Sequence, residues 1–271
     1  MTVSSTGAGY DPSRRIDTTI PHSARVWNYW LGGKDNYAVD REAGDKFRDI
    51  FPGIVDIARG TRAFLARAVR YLAGEVGIRQ FLDIGTGLPT SDNTHQVAQR
   101  VAPESRIVYV DNDPLVLAHA RALLVGTPQG ATDYIEADVR EPDKILERAA
   151  ETLDLTQPTA LMLLGILGLV PDEDEIRSIV KRLMGSLPSG SYLVHEDEGP
   201  TVEGLVEATR AYAESGAKPY ILRSPETTIR FFDGLELVEP GLVDVTQWRP
   251  EHSPFGAPAP VHAICSVWRK P

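Results

Sequence analysis

The chain is poor in everything that would tie it to oxidation, metals or a membrane. Cys265 is its single cysteine in 271 residues. No intramolecular disulfide can form, and no cysteine-cluster metal site is available. The six histidines, His22, His195 and His262 among them, are scattered without ligand spacing, so no metal is expected. No apolar run approaches the roughly 20 residues of a membrane span. The first ten residues are rich in Ser, Thr and Gly and carry no basic-then-apolar pattern, so no secretory signal is read there. Positive charge is also scarce: 28 Lys and Arg against 38 Asp and Glu leave a net charge of −10. Nucleic acid is therefore not the expected partner, because that binding rests on cations neutralising phosphates. These absences leave a cytoplasmic protein with a small-molecule partner and an open oligomeric state.

What is present suits one soluble domain. Hydrophobic residues make up 42% and charged residues 24%, ordinary values for a globular protein. The length allows one large α/β domain with a substantial core. Residues 1–13 read as a disordered tail, and 14–271 as a single domain. Within it, 14–75 read as a helical cap or lid, 76–215 as a cofactor-binding core, and 216–271 as C-terminal substrate elements. Strands are expected at 80–84, 107–111, 132–136, 160–164 and 191–195. Helices are expected at 92–101, 114–124, 141–152, 173–186 and 200–215. This alternation implies an α/β, doubly wound, mostly parallel sheet. Short strand-like pieces follow at 235–238 and 242–245, and an antiparallel C-terminal strand at 261–268 closes a sheet expected to have seven strands. The N-terminal region reads as helices, one before Gly32-Gly33, one at 39–50 and one at 60–73.

Chemistry concentrates at Phe81-Leu82-Asp83-Ile84-Gly85-Thr86-Gly87. A buried strand leads through an acid into a Gly-x-Gly turn, where backbone can approach a ligand closely. Asp111 and Asp138 follow the next two strands, spaced by 28 and then 27 positions. Ligands of open α/β sheets bind at that carboxyl edge. Asp111 can accept from two ribose hydroxyls. Asp138 and Asn112 suit an adenine edge, and Val139 its ring face. Asp83 suits the turn itself or the amino end of a methionine. Asp113-Pro114 reads instead as a helix cap. A dinucleotide fold wants a third glycine and free N–H groups for pyrophosphate. Here Pro89 removes a donor and Asp83 repels phosphate. A sulfonium nucleoside, S-adenosylmethionine, fits better than NAD.

With these segments go Leu31-Gly32-Gly33-Lys34-Asp35-Asn36-Tyr37, Val110 to Pro114, Ala137 to Arg140 and Trp248-Arg249-Pro250. Together they resemble class I S-adenosylmethionine-dependent methyltransferases, and more narrowly the bacterial S-adenosyl methyltransferase domain family. The resemblance implies a Rossmann-like fold and cofactor binding, and it supplies no substrate. Two positions depart from it. Leu167-Gly168-Leu169 stands where Leu-His-Phe is frequent, and Asn28 where an acid is common.

No catalytic residue is fixed. His195 and Glu196 are candidate bases, with Asp197 and Glu198 beside them; the alternative is an acidic loop leading into a helix N-terminus. Residues 22–37 read as a lid with Tyr29, Trp30 and Gly33 nearest the cofactor, or as a helix anchoring aromatics in the core. Arg62 lies one helix ahead of the turn, where a similar arginine occurs in carboxyl O-methyltransferases, and it suits a cofactor carboxylate. The substrate is expected beside Trp248, Phe231 and Phe232. The rival functions are a non-catalytic S-adenosylmethionine-binding protein and an NAD(P)-dependent oxidoreductase.

Overall fold

The structure is a computed structural model. It describes residues 16–123, 126–199, 202–252, 254, 256 and 258–271. The expected tail at 1–13 lies outside the described residues.

The sheet is built on continuous apolar strands. Strands β1 (Gln80–Ile84), β2 (Arg106–Asp111), β3 (Ala131–Glu136), β4 (Ala160–Leu164) and β5 (Tyr192–Glu198) run parallel in the order β3-β2-β1-β4-β5. Every residue of β1 and β5 is buried, as expected for strands covered on both faces. The sheet continues into an antiparallel β8 (Ala263–Arg269), which pairs with β5 and with two short strands, β6 (Glu236–Leu237) and β7 (Val243–Asp244). The sheet thus has eight strands rather than seven, because both short pieces reach β8.

Alternation sorts side chains onto two cores. Phe81, Ile107, Tyr109, Met162 and Val194 face one layer with α1 (Ser23–Trp30), α2 (Ala38–Ile50), α3 (Ile54–Tyr71) and α8 (Glu203–Glu214). Leu82, Ile84, Val108, Val110 and Leu163 face the other, with α6 (Pro142–Ala149) and α7 (Glu173–Gly185). Helices α4 (Thr94–Val101) and α5 (Pro114–Leu123) complete the wrapping, and α9 (Pro225–Ile229) follows α8. Local signals explain several starts. Asp172 caps α7 ahead of three first-turn acids, and Ser224 caps α9 with Pro225 at its first position.

Two boundaries differ from expectation. Helix α3 begins at Ile54 rather than near Gly60. Gly60 sits mid-helix, where a Cβ would come 3.0 Å from Val245 and 3.1 Å from Val261. Strand β5 runs three residues past 195, because Glu196, Asp197 and Glu198 pair with Cys265, Ile264 and Ala263. Those acids are strand residues in the core and not an acidic loop. No helix among the described residues is long and apolar enough to cross a membrane.

Candidate functional site

Strands β1, β2 and β3 end at one edge, and a cavity of about 230 Å³ opens there. The chain leaves β1 through Gly85 (φ +76°) and Gly87 (φ +66°). A Cβ on Gly85 would fall 2.6 Å from the Ile166 side chain, whereas one on Gly87 would meet nothing within 4 Å. Gly85 is therefore demanded by packing and backbone, and Gly87 by backbone alone. Gly87 fronts open space. The N–H groups of Gly85 and Thr86 both donate to Val110 O, at 2.8 and 3.3 Å. That of Gly87 donates to Asp111 Oδ2 at 2.8 Å. The turn thus spends internally the three donors that a pyrophosphate would need.

The acids converge as the spacing implied. Asp83, Asp111 and Asp138 all line the cavity, with Thr86, Asn112 and Val139. Asp83 accepts from Thr94 Oγ1 at 2.6 Å. Burial pushes its carboxyl from 3.8 up to about 6, against the opposing pull of Thr94 and Arg62. Asp111 holds one N–H on each oxygen, from Gly87 and from Asp113 at 2.9 Å. Its carboxyl is also raised, burial being the main cause. Asn112 Nδ2 donates to Asp138 Oδ2 at 3.0 Å, and the Arg140 N–H to Oδ1 at 3.0 Å. Burial alone would raise Asp138, but those bonds and the cations Lys218 and Arg140 bring it below its ordinary value. Asp113 is structural. It accepts from the Leu115 N–H at 2.9 Å and pairs with Arg25 Nε at 2.9 Å.

That ion pair docks α1 as one wall of the cavity. Arg25 is 3% exposed and also donates to Asp17 O at 2.6 Å. Ala24, Trp27, Asn28 and Trp30 line the cavity, while Val26 and Trp30 also belong to the core. Tyr29 does not line it. Its hydroxyl turns away to Asp45 at 2.7 Å, and its ring packs against Gly44. Nor does Gly33, which borders an adjoining, more open depression that shares Asn28, Leu31, Arg62 and Thr90 with the cavity. A Cβ there would fall 2.3 Å from Asn28, whose Oδ1 accepts from the Asp35 N–H and the Asn36 side chain. Asn28 organises this turn, and Gly33 is glycine because of it. Arg62 does line the cavity. Its Nη2 donates to Ser91 O and Asp92 O, bracing the loop after the glycine turn, and its buried Nε has no partner.

The cavity continues inward over β4 and β5 to Thr61, Glu196, Glu198, Tyr212 and Tyr220. Glu196 lines it, but His195 does not. Strand alternation turns His195 to the opposite face, where it meets Asp197 at 3.0 Å and the Phe232 ring at 5.0 Å. His195 is thus removed as a base candidate. Trp248, Phe231 and Phe232 are also core residues. Trp248 is fully buried against Phe64 and Tyr71, and the two phenylalanines pack in the second core. Their apolar surface explains their burial. The segment after α8 contributes Lys218, Tyr220 and Leu222 to the cavity instead. Gly168 makes room for this: a Cβ would lie 2.3 Å from the Tyr220 ring, whose hydroxyl donates to Asp197. Thr61, Tyr212 and Tyr220 carried no sequence signal, since each reaches the site from a separate helix or loop.

A parallel α/β sheet closed by an antiparallel strand, with an acid-lined glycine turn at its carboxyl edge, places the chain in the Rossmann-like class of folds that methyltransferases share. The comparisons narrow this. A family model described as S-adenosyl methyltransferase matches residues 10–271, and the chain belongs to that family. A DUF574 family protein from Streptomyces avermitilis is 46% identical over 95% of this chain and 100% of its own, with a TM-score of 0.90. A Thermobifida fusca protein described as a candidate methyltransferase is 40% identical over 94% of this chain and 96% of its own, with a TM-score of 0.85. No curated protein matches.

Proposed function

We propose that the chain binds S-adenosylmethionine at the edge formed by Asp83, Gly85, Thr86, Gly87, Asp111, Asn112, Asp138 and Val139, and methylates a small molecule held deeper in the same cavity. The observation that carries this is the turn itself. Its N–H groups are spent on Val110 and Asp111 while buried carboxylates face the opening, which suits a cationic nucleoside and disfavours a dinucleotide. Asp111 would take the ribose hydroxyls, Asn112 and Asp138 the adenine edge, and Val139 the ring. Arg62, with its free Nε, would take the carboxylate. Once bound, the sulfonium supplies an already activated methyl group. The chain's task is to exclude water and align the acceptor. The buried cysteine and the acidic charge accord with a cytoplasmic enzyme that does not act on nucleic acid.

The test is incubation with methyl-labelled S-adenosylmethionine and a fractionated small-molecule extract. Label in a low-mass product is expected. Tight binding of the nucleoside with no transfer to any fraction would favour a non-catalytic binder.

A further inference from the structure

The inner end of the cavity sets Thr61, Tyr212, Tyr220 and two carboxylates among apolar side chains. Glu196 and Glu198 stand two residues apart on β5, so both leave the same face of the strand. Glu196 is fully buried and Glu198 is 6% exposed. Thr61 Oγ1 donates to Glu196 Oε1 at 3.0 Å and the Tyr220 hydroxyl acts on the Glu198 carboxyl, but Oε2 of Glu196 and Oε2 of Glu198 have no hydrogen-bond partner. The Tyr212 hydroxyl, on the same cavity, has none either. Trp27, Trp30, Phe47, Ile54, Leu205 and Leu222 supply the surrounding wall. A buried polar atom left unpaired is costly, because it has given up its hydrogen bonds to water. Such atoms facing one chamber are expected where a ligand completes them.

The chemistry of that ligand follows from the donor and charge balance. Carboxylate oxygens accept, and two side by side favour a cation; an ammonium brings three N–H donors. Among the described residues, the cations that line the cavity are engaged elsewhere: Arg140 meets Asp138 and Glu175, and Arg62 is the group proposed for the cofactor carboxylate. Lys218 lies 3.7 Å from Asp138, and Arg62 holds the 91–92 carbonyls.

We propose that this inner end holds the protonated amine of an apolar, aromatic-sized acceptor, its ammonium seated between Glu196 and Glu198. This rests on the methyltransferase reading of the same cavity and adds the acceptor class to it. A carboxylate of the pair also takes a proton from the ammonium. The N–H bond breaks with its electron pair left on nitrogen, an O–H bond forms, and the freed lone pair is what a methyl acceptor requires. Burial raises both carboxyls, which brings proton affinity closer to that of an amine. The titratable groups that act on the pair are Asp197, from the opposite face of β5, Tyr220 after α8 and Cys265 on β8; Tyr212 on α8 lines the same cavity.

The experiment is calorimetric titration of the full chain with 2-phenylethylamine and with its neutral isostere 2-phenylethanol, each in two buffers of different ionisation enthalpy. S-Adenosylhomocysteine is titrated in parallel. The amine should bind about 10- to 100-fold tighter than the alcohol, with protons released to the buffer. Glu196→Gln and Glu198→Gln should each lose that preference while retaining S-adenosylhomocysteine affinity. Equal binding of amine and alcohol, no binding of either, or an undiminished preference in both variants would overturn the proposal. Should a variant not fold, the wild-type preference and proton release decide alone. Failure of S-adenosylhomocysteine to bind, with the amine preference intact, would sink the cofactor reading and leave the amine site standing.

Discussion

Replacing Gly87 with alanine separates the two reasons for a glycine in this turn. The backbone there has φ +66°, and a Cβ would meet nothing within 4 Å. The folded protein should therefore lose only the cost of a left-handed L-residue, about 1–2 kcal/mol. For a chain of this size that lowers Tm by about 2–8 °C. The Gly87 N–H still reaches Asp111, so no hydrogen bond is lost. The added methyl instead enters the space where the nucleoside is proposed to lie. Crowding of about 1–3 kcal/mol there weakens binding about 5- to 150-fold. Gly85→Ala is the contrast. It carries the same backbone strain (φ +76°) and places a Cβ 2.6 Å from Ile166, so its stability loss should be larger, about 2–5 kcal/mol. Melting curves and S-adenosylhomocysteine calorimetry on both variants are the assay. Wild-type affinity in Gly87→Ala, or a Gly85→Ala protein no less stable than Gly87→Ala, would refute the reasoning.

Three further outcomes are expected. Arg25→Met should cost about 3 kcal/mol in denaturant unfolding, the low end for a broken buried pair, because Asp113 keeps the Leu115 N–H and His22 at 3.2 Å; adding Asp113→Asn should recover most of the loss. Gly168→Ala should cost about 1–3 kcal/mol by displacing the Tyr220 ring, and the combined Gly168→Ala and Tyr220→Leu variant should lose less than the sum of the two singles. Asp83 is raised from 3.8 to about 6 and Glu198 from 4.5 to about 7. A raised acid binds its proton more tightly when folded, so the stability it contributes is full below the unfolded value and is lost as pH rises through the folded one. Asp83→Asn should flatten the stability profile between 3.8 and about 6, and Glu198→Gln between 4.5 and about 7; unchanged slopes would contradict the assignments.

Much of this fold was legible because its strands are continuous apolar runs and its helices carry local caps. The edge acids were legible for a related reason: Asp83, Asp111 and Asp138 occupy equivalent places at successive strand ends. What escaped was set by distant contacts. Gly60 reads as a helix boundary by propensity, yet it lies mid-helix where Val245 and Val261 press close. Trp248 and Phe232 read as ligand contacts, and packing made them core. The acids of β5 read as a loop because carboxylates are costly in strands. Pairing with β8 keeps them there, and alternation then sends Glu196 into the cavity and His195 away from it. Tyr220 had no local signal at all; its place depends on Gly168, some fifty residues earlier in the chain.

The most direct test of the central claim is titration of the wild-type chain with S-adenosylmethionine, S-adenosylhomocysteine and NAD under identical conditions. Saturable binding of the first two and none of the third is expected. Binding of NAD without the sulfonium nucleoside or its thioether would contradict the account.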